Sequence, residues 1–355
     1  MKQQSADKTL DKVKDYYGRV LKSTKDLKTT ACCVAESIPI HLRDLVRNIH
    51  PEVTDRFYGC GSTFPLELKG KTVLDLGCGS GRDVYLLSQL VGQSGQVYGI
   101  DMTDEQLHVA KKHQDYHRQT FGYQKSNVHL VTGFIEDLES AGIASNSIDV
   151  IVSNCVINLS PEKDRVFSEI FRVLKPGGEL HFSDVFCDRR LPEWCREDKI
   201  LLGECLGGAM YGQDFRRSLL KAGFPDYRIV KSSPIELTDT EVVKKVGFAK
   251  FSSITVRAFK IESLEDKCED YGQVAFYKGT ISESPHSFQL DDHHTFHKDR
   301  PLLICSNTAS MLMETRYRDH FRVDGNLNNH YGLFDCAPEE MKNFQATKDS
   351  AAACC

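Results

Sequence analysis

The chain has 355 residues, 27% of them charged and 40% hydrophobic, with a single Trp and a formal net charge of −5. That length exceeds what one hydrophobic core usually takes, so a main domain with a smaller appended unit is expected. The charge balance excludes a nonspecific nucleic-acid binder, because Lys and Arg are scattered among acids, and the apolar runs are too short to cross a membrane.

The N-terminal MKQQSADKTLDKVKDYY is polar and mixed in charge, unlike a secretory signal or a transit peptide, so a cytoplasmic location is expected. Helical spacing in LDKVKDYYGRVLK and IHLRDLVRNIH, on either side of the cysteine-bearing TTACCVAES, makes residues 1–65 a helical cap that carries Cys32 and Cys60. From Lys71 strand-like and helical runs alternate: TVLDLG, VYLLSQLV, QVYGIDM, QLHVAKKHQDYH, VHLVTGF, DVIVSN, FSEIFRVLK and GELHFSDVF. This is the pattern of a Rossmann-like, doubly wound α/β sheet, and residues 66–210 form the cofactor-binding domain. LKPGG, Leu174 to Gly178, ends a helix and returns the chain to the next strand. The amphipathic DFRRSLLKAGF, then YRIVKSSPIEL and SSITVRAFKI, close the sheet over residues 211–262. After the charged ESLEDKCED, short β-like runs and turns make residues 263–335 a small α+β unit with a poorly specified core, and 336–355 a polar, mobile tail.

VLDLGCGSGRD sets Gly77, Gly79 and Gly81 between a strand and a helix, where tight turning and close ligand approach leave no room for a Cβ. A glycine run alone is a weak signal. Asp75 before it, and Asp101 ending the next strand in GIDM about twenty residues on, strengthen it, since such an acid is placed to accept both ribose hydroxyls. The bland alternatives are an ordinary turn for Gly77 and a helix N-cap for Asp101; Cys78 reads as a small packed residue. This D-x-G-x-G-x-G pattern resembles the class I methyltransferases, which bind S-adenosylmethionine. The resemblance implies that Asp75 and the Gly77 to Gly81 loop hold the methionine end, that Met102 packs on adenine, and that Ile135 and Glu136 in TGFIEDL frame the adenine edge.

DVIVSNC is the fourth strand of the sheet, and such folds bind ligands beyond the carboxyl ends of their strands, so Asn154 and Cys155 face the cofactor crevice. No His or carboxylate stands out beside Cys155. Cysteines flanked by small or turn-forming residues occur also in TTACC (Cys32), RFYGCG (Cys60) and LLGECLGG (Cys205). With DYYGRVL, YGCG, SNCVINL, LKPGGELHFSDV and GECLGGA, the chain from about Asp15 to Lys260 is similar to the arsenite S-adenosylmethionine methyltransferases.

That resemblance implies that Cys60, Cys155 and Cys205 bind trivalent arsenic and that Cys32 is the redox partner of the first step, with Cys33 as its substitute. It further implies that cysteine pairs return pentavalent arsenic to the trivalent state by forming disulfides, which thioredoxin or glutathione then reduces. Soft arsenic prefers sulfur, and three thiolates fill its bonding positions while leaving a lone pair. Displacement by that lone pair releases no proton from the nucleophile, so no general base is required. Tyr58 either presents its ring to the sulfonium or packs.

Three other readings remain open on the residues: a structural zinc module, which the scarcity of C-x2-4-C pairs opposes; a methyltransferase for a sterol- or quinone-like substrate; and a noncatalytic arsenite binder. DDHHTFH, with His293, His294 and His297, is a polar loop before it is a metal site, and the terminal Cys354–Cys355 pair belongs to the tail. Cys187, Cys195, Cys268, Cys305 and Cys336 carry no motif and receive no role.

Overall fold

The computed structural model describes residues 2–17, 42–57, 59 and 61–336; Cys32, Cys33, Tyr58, Cys60, Cys354 and Cys355 lie outside them. Helix α1 (Lys2–Asp15) starts well before the LDKVKDYY stretch that suggested it, and the short α2 (Arg43–Arg47) and α3 (Pro51–Thr54) follow. The main domain then runs β1 (Thr72–Leu76), α4 (Arg82–Val91), β2 (Gln96–Asp101), α5 (Asp104–Lys112), α6 (Gln114–Thr120), β3 (Val128–Thr132), β4 (Ile148–Asn154), α7 (Lys163–Val173) and β5 (Leu174–Cys187). Next come α8 (Trp194–Glu197), α9 (Lys199–Gly203), β6 (Met210–Tyr211), α10 (Gly212–Ala222), β7 (Tyr227–Ile235), α11 (Thr240–Val246) and β8 (Phe251–Phe259).

These strands form one sheet in the order β3-β2-β1-β4-β5-β8-β7, with β6 paired to β5. Strands β1 to β5 are parallel and β8 and β7 antiparallel, which makes this a class I methyltransferase fold. The central strands are Val, Ile and Leu runs with little alternation because helices cover both faces: Leu74, Leu76, Val150 and Ile151 are all fully buried. The strand order reverses between β1 and β4, so the loops that leave their carboxyl ends part and open a crevice. The glycine loop, Asp101 and Cys155 all lie at that edge.

The C-terminal part contains β9 (Glu269–Asp270), β10 (Gln273–Tyr277), β11 (Ser287–Gln289), β12 (Thr295–His297), β13 (Pro301–Ile304), α12 (Ser306–Met313), β14 (Phe321–Asp324) and β15 (Gly332–Leu333). A β13-β10-β14 sheet and a β11–β12 hairpin assemble around Tyr277, Phe288, Phe296, Tyr317 and Phe321, and β9 and β15 form a further two-stranded ladder. This core is well defined, contrary to the expectation from sequence, because aromatic residues scattered at irregular spacing converge on it.

Glu179 of β5 fastens this part to the main sheet: it is fully buried, 2.9 Å from Arg257 Nε and 2.6 Å from Arg316 Nη1, and it accepts the Tyr317 hydroxyl at 3.3 Å. The DDHHTFH stretch is only in part the polar loop expected. Asp291 and His294 are buried, Asp291 accepts His294 Nδ1 at 2.8 Å, and Arg228 Nη1 of β7 lies 3.6 Å away; His297 is exposed. Among the described residues, no helix is long and apolar enough to cross a membrane.

Candidate functional site

A cavity of about 950 Å³, counting its opening to solvent, sits at the carboxyl edge of β1, β2 and β4. Asp75, Gly77, Gly79, Asp101, Met102, Ile135, Glu136, Asn154 and Cys155 all border it. Gly81 does not. It is the left-handed N-cap of α4 (φ 91°), and so turns the chain into the helix rather than meeting a ligand.

Gly77 and Gly79 need glycine for different reasons. A Cβ on Gly77 would lie 2.5 Å from both Val156 methyl carbons, whereas one on Gly79 would meet nothing within 4 Å; there the positive φ of 53° is the constraint. The loop is held by Asp101, whose two oxygens accept the Gly79 and Thr103 backbone N–H groups, each at 2.8 Å. Each oxygen keeps a further lone pair for a ligand hydroxyl. Glu136 is buried and accepts the Ser160 hydroxyl, so its carboxylate is anchored to the segment that follows Cys155.

Burial, then repulsion from Asp83 and Asp101, pushes Asp75 well above the usual carboxylate range, and burial also raises Asp101. Asp83 is held by Arg82 Nη2 at 2.7 Å, and the Arg82 guanidinium stacks on the Phe57 ring. A cavity lined by four carboxylates, Asp75, Asp83, Asp101 and Glu136, with Asp75 and Asp101 reluctant to ionise, favours a cationic ligand. Arg82, Asp83, Gln106 and Tyr17 also border the cavity and carried no signal in the sequence reading. Tyr17 donates its hydroxyl to Gly203 O at 2.8 Å and accepts Gln106 Nε2 on its carbonyl at 3.0 Å, joining the end of α1 to α9 and α5.

Cys155 borders the cavity, and Cys205 packs against Cys155. Cys155 and Cys205 are both buried, and both have left-handed backbone, with φ of 58° and 61°. That geometry costs a non-glycine residue on the order of 1–2 kcal/mol and persists only where the surroundings enforce it. The Cys205 thiol donates to Cys155 O at 3.2 Å. Cys155 is disulfide-bonded. In GECLGG, a Cβ on Gly208 would collide with the Asn158 carbonyl and one on Gly207 with that of Cys195, so the glycines let the Cys205 loop close on the Cys155 loop.

Contrary to the expectation of no carboxylate beside Cys155, Asp184 stands there. One of its oxygens and the sulfurs of Cys155 and Cys205 all lie within 4.8 Å of one another. Strand register explains the miss: Asn154 pairs with Ser183 across β4 and β5, so the next residue on each strand is Cys155 or Asp184. Asp184 is fully buried and pushed up to about 7 by that burial, against donors from Val185 N at 2.8 Å and from Asn158 N and Nδ2 at 3.0 and 2.7 Å.

Asn154 borders the cavity as expected, but its side chain also grips the chain near residue 60. Its Nδ2 donates to Gly61 O at 2.7 Å and its Oδ1 accepts Gly61 N at 3.3 Å. A Cβ on Gly59 would lie 2.8 Å from the same amide. The residues flanking position 60 are thus beside the residue that precedes Cys155.

Similarity to known proteins agrees with this geometry. Residues 67–223 match the methyltransferase domain family and residues 270–355 the arsenite methyltransferase C-terminal domain family. An arsenite methyltransferase from Aquipseudomonas alcaligenes is 51% identical over 346 residues, 97% of this chain and 99% of that one. The chain belongs to the arsenite methyltransferase family. The human arsenite methyltransferase is 43% identical over 314 residues, 88% of this chain and 82% of its own length. The crystal structure of an arsenic(III) S-adenosylmethionine methyltransferase from Chlamydomonas reinhardtii superposes with a TM-score of 0.81 at 50% identity, covering 84% of this chain and 100% of that one.

Proposed function

We propose that this protein methylates trivalent arsenic, drawing methyl groups from S-adenosylmethionine and holding arsenic on Cys60, Cys155 and Cys205. One observation carries the reading: two cysteines far apart in sequence, each in left-handed backbone, meet at the wall of a carboxylate-lined cavity. S-adenosylmethionine, a cation, supplies an electrophilic methyl group when bound. Asp75 and Asp101 favour its charge and ribose, Met102 and Ile135 supply apolar walls, and Glu136 and Asn154 fix the loops around them.

Three thiols replace the three hydroxyls of arsenous acid, releasing three waters and leaving the metalloid lone pair as nucleophile. Alkylation raises arsenic to the pentavalent state. Oxidation of a cysteine pair, with Cys32 as one member, returns two electrons, and thioredoxin or glutathione then reduces the disulfide. The disulfide at Cys155 fits that cycle. Free thiols at Cys78, Cys187 and Cys195 suit a reducing compartment such as the cytoplasm. The test is a time course with arsenite, S-adenosylmethionine and a thiol reductant, with arsenic species separated at each point: mono- then dimethylated arsenicals are expected, and unmethylated arsenic throughout would overturn the reading.

Asp184 is placed to take a thiol proton as arsenic binds. Asp184→Asn is therefore expected to slow arsenite loading ~10-fold or more, with cofactor affinity little changed. Rapid-quench measurement of protein-bound arsenic checks this, and an unchanged loading rate would leave Asp184 as an anchor of the 157–159 turn alone.

The raised carboxylates give a pH dependence with a definite sign. A cationic ligand lowers the pKa of Asp75 and Asp101 on binding, so protons are released, and affinity rises with pH until both groups are ionised in the free protein. Calorimetry in buffers of different ionisation enthalpy is expected to show proton release for S-adenosylmethionine and less for its uncharged demethylated product. Equal release for both would show that the sulfonium charge is not what these groups sense.

A further inference from the structure

Three of the cysteines without a motif converge in the C-terminal part. The sulfurs of Cys268, Cys305 and Cys336 all lie within 4.8 Å of one another. The β9–β15 ladder sets Glu269 opposite Leu333, and the Phe334 N–H donates to Cys268 O at 2.8 Å, so the ladder brings Cys268 and Cys336 side by side. Cys305 comes from elsewhere, as the N-cap of α12, where its sulfur accepts Thr308 N at 3.4 Å and lies 3.2 Å from the Thr308 hydroxyl. None of the three is in a disulfide.

Arg228 of β7 completes the surroundings. Its Nη2 points at Cys305 Sγ from 3.7 Å and at Cys268 Sγ from 3.9 Å, and the guanidinium is fixed by Asp226 at 2.8 Å. Asn307 Nδ2 holds the same Asp226 oxygen at 3.0 Å. A buried cation and a helix N-terminus both favour the thiolate of Cys305, the form that binds soft centres. Cys305 is fully buried whereas Cys268 and Cys336 are half-buried, so a ligand from solvent meets two sulfurs at the surface and one beneath.

We propose that Cys268, Cys305 and Cys336 form a second binding site for trivalent arsenic, separate from the methylation site. The ligand is inorganic arsenous acid. Its three As–O bonds and three S–H bonds break, three As–S bonds form, and three waters leave with no change of oxidation state. Three sulfurs complete pyramidal arsenic, whereas a closed zinc site needs a fourth ligand, and the described residues place only these three cysteines in the cluster. The site shares its ligand with the proposed methylation reaction but uses none of that reaction's residues.

The experiment is arsenic stoichiometry on full-length protein reduced with a phosphine, equilibrated with arsenite, gel-filtered and assayed by mass spectrometry of the element. About two arsenic atoms per chain are expected for the wild type, about one for Cys155→Ser/Cys205→Ser, and about none once Cys268→Ser and Cys336→Ser are added. X-ray absorption of the Cys155→Ser/Cys205→Ser protein should show three sulfur neighbours around arsenic. The two half-buried cysteines are chosen because replacing Cys305 would also disturb the cap of α12; thermal unfolding and cofactor binding report whether the fold survives, and Cys336→Ser alone serves if the pair does not. One arsenic in the wild type and none in Cys155→Ser/Cys205→Ser would overturn the second site and leave the methylation site standing. One in both proteins, lost only with Cys268→Ser/Cys336→Ser, would keep the second site and sink the first as assigned. Stoichiometric zinc that arsenite cannot displace would also overturn the proposal.

Discussion

Cys155→Ser is expected to lower the rate of arsenite methylation more than ~100-fold while cofactor affinity stays within about twofold. Serine offers a hard, protonated oxygen where a soft centre needs a thiolate, so arsenic loses a ligand and the lone pair loses its aim. Beyond the loss of the Cys155 disulfide, which a thiol reductant opens in the wild type as well, the substitution is mild. Serine tolerates the same left-handed backbone at φ 58° no worse than cysteine does, and the cavity wall contributed by Asp75, Asp101 and Met102 is untouched. Cys205→Ser should behave alike, and the double variant should be little slower than either single one, because ligands of one atom act as a unit. Initial rates by separation of arsenic species, with cofactor binding by calorimetry, distinguish this from unfolding. Full activity in Cys155→Ser would mean that the thiol only packs.

The parts of this site visible in the sequence are those whose cause is local. Gly77 and Gly79 stand out because a strand, a tight turn and a helix follow one another within a few residues, and Asp101 because one βα unit separates it from the loop it holds. Asn154 ends a strand at the crevice and borders the cavity, yet its grip on Gly61 is invisible in the sequence, since that partner lies in a loop outside the sheet pattern. Asp184 was missed for the same reason: only the β4–β5 register brings it to Cys155. The left-handed backbone at Cys155 and Cys205 has no sequence signature, because cysteine does not favour it; the neighbouring glycines at 207 and 208 were the nearest hint, and they report close packing. Cys268, Cys305 and Cys336 share no spacing rule, being gathered by a two-residue ladder and a helix cap that no periodicity reveals.

Glu179→Ala is expected to destabilise the protein by about 3–5 kcal/mol, the usual consequence of stranding a buried charge. Glu179 stands between Arg257 of the main sheet and Arg316 of the C-terminal part, all three nearly inaccessible, and Arg316 also donates to Leu66 O at 2.9 Å. Removing one carboxylate therefore leaves two guanidinium groups without their anion and loosens the joint between the two parts. Burial pushes the Glu179 carboxyl up, but Arg257 and Arg316 outweigh it and hold the group below its ordinary 4.5. An acid depressed in this way stabilises the fold above the unfolded-state pKa, and that contribution disappears as pH falls through the folded value. His181, two residues along β5, acts in the same direction: burial pushes it down to about 3 from 6.5, so unfolding takes up a proton and stability declines as pH drops below 6.5. Urea titrations at pH 7.5 and 4.5 check both points. The wild type should lose stability at the lower pH, and Glu179→Ala should be weaker at both, with its transition broadened or split if the C-terminal part separates first. A variant as stable as the wild type would mean that packing around Tyr317 and Phe288, rather than this ion cluster, holds the two parts together.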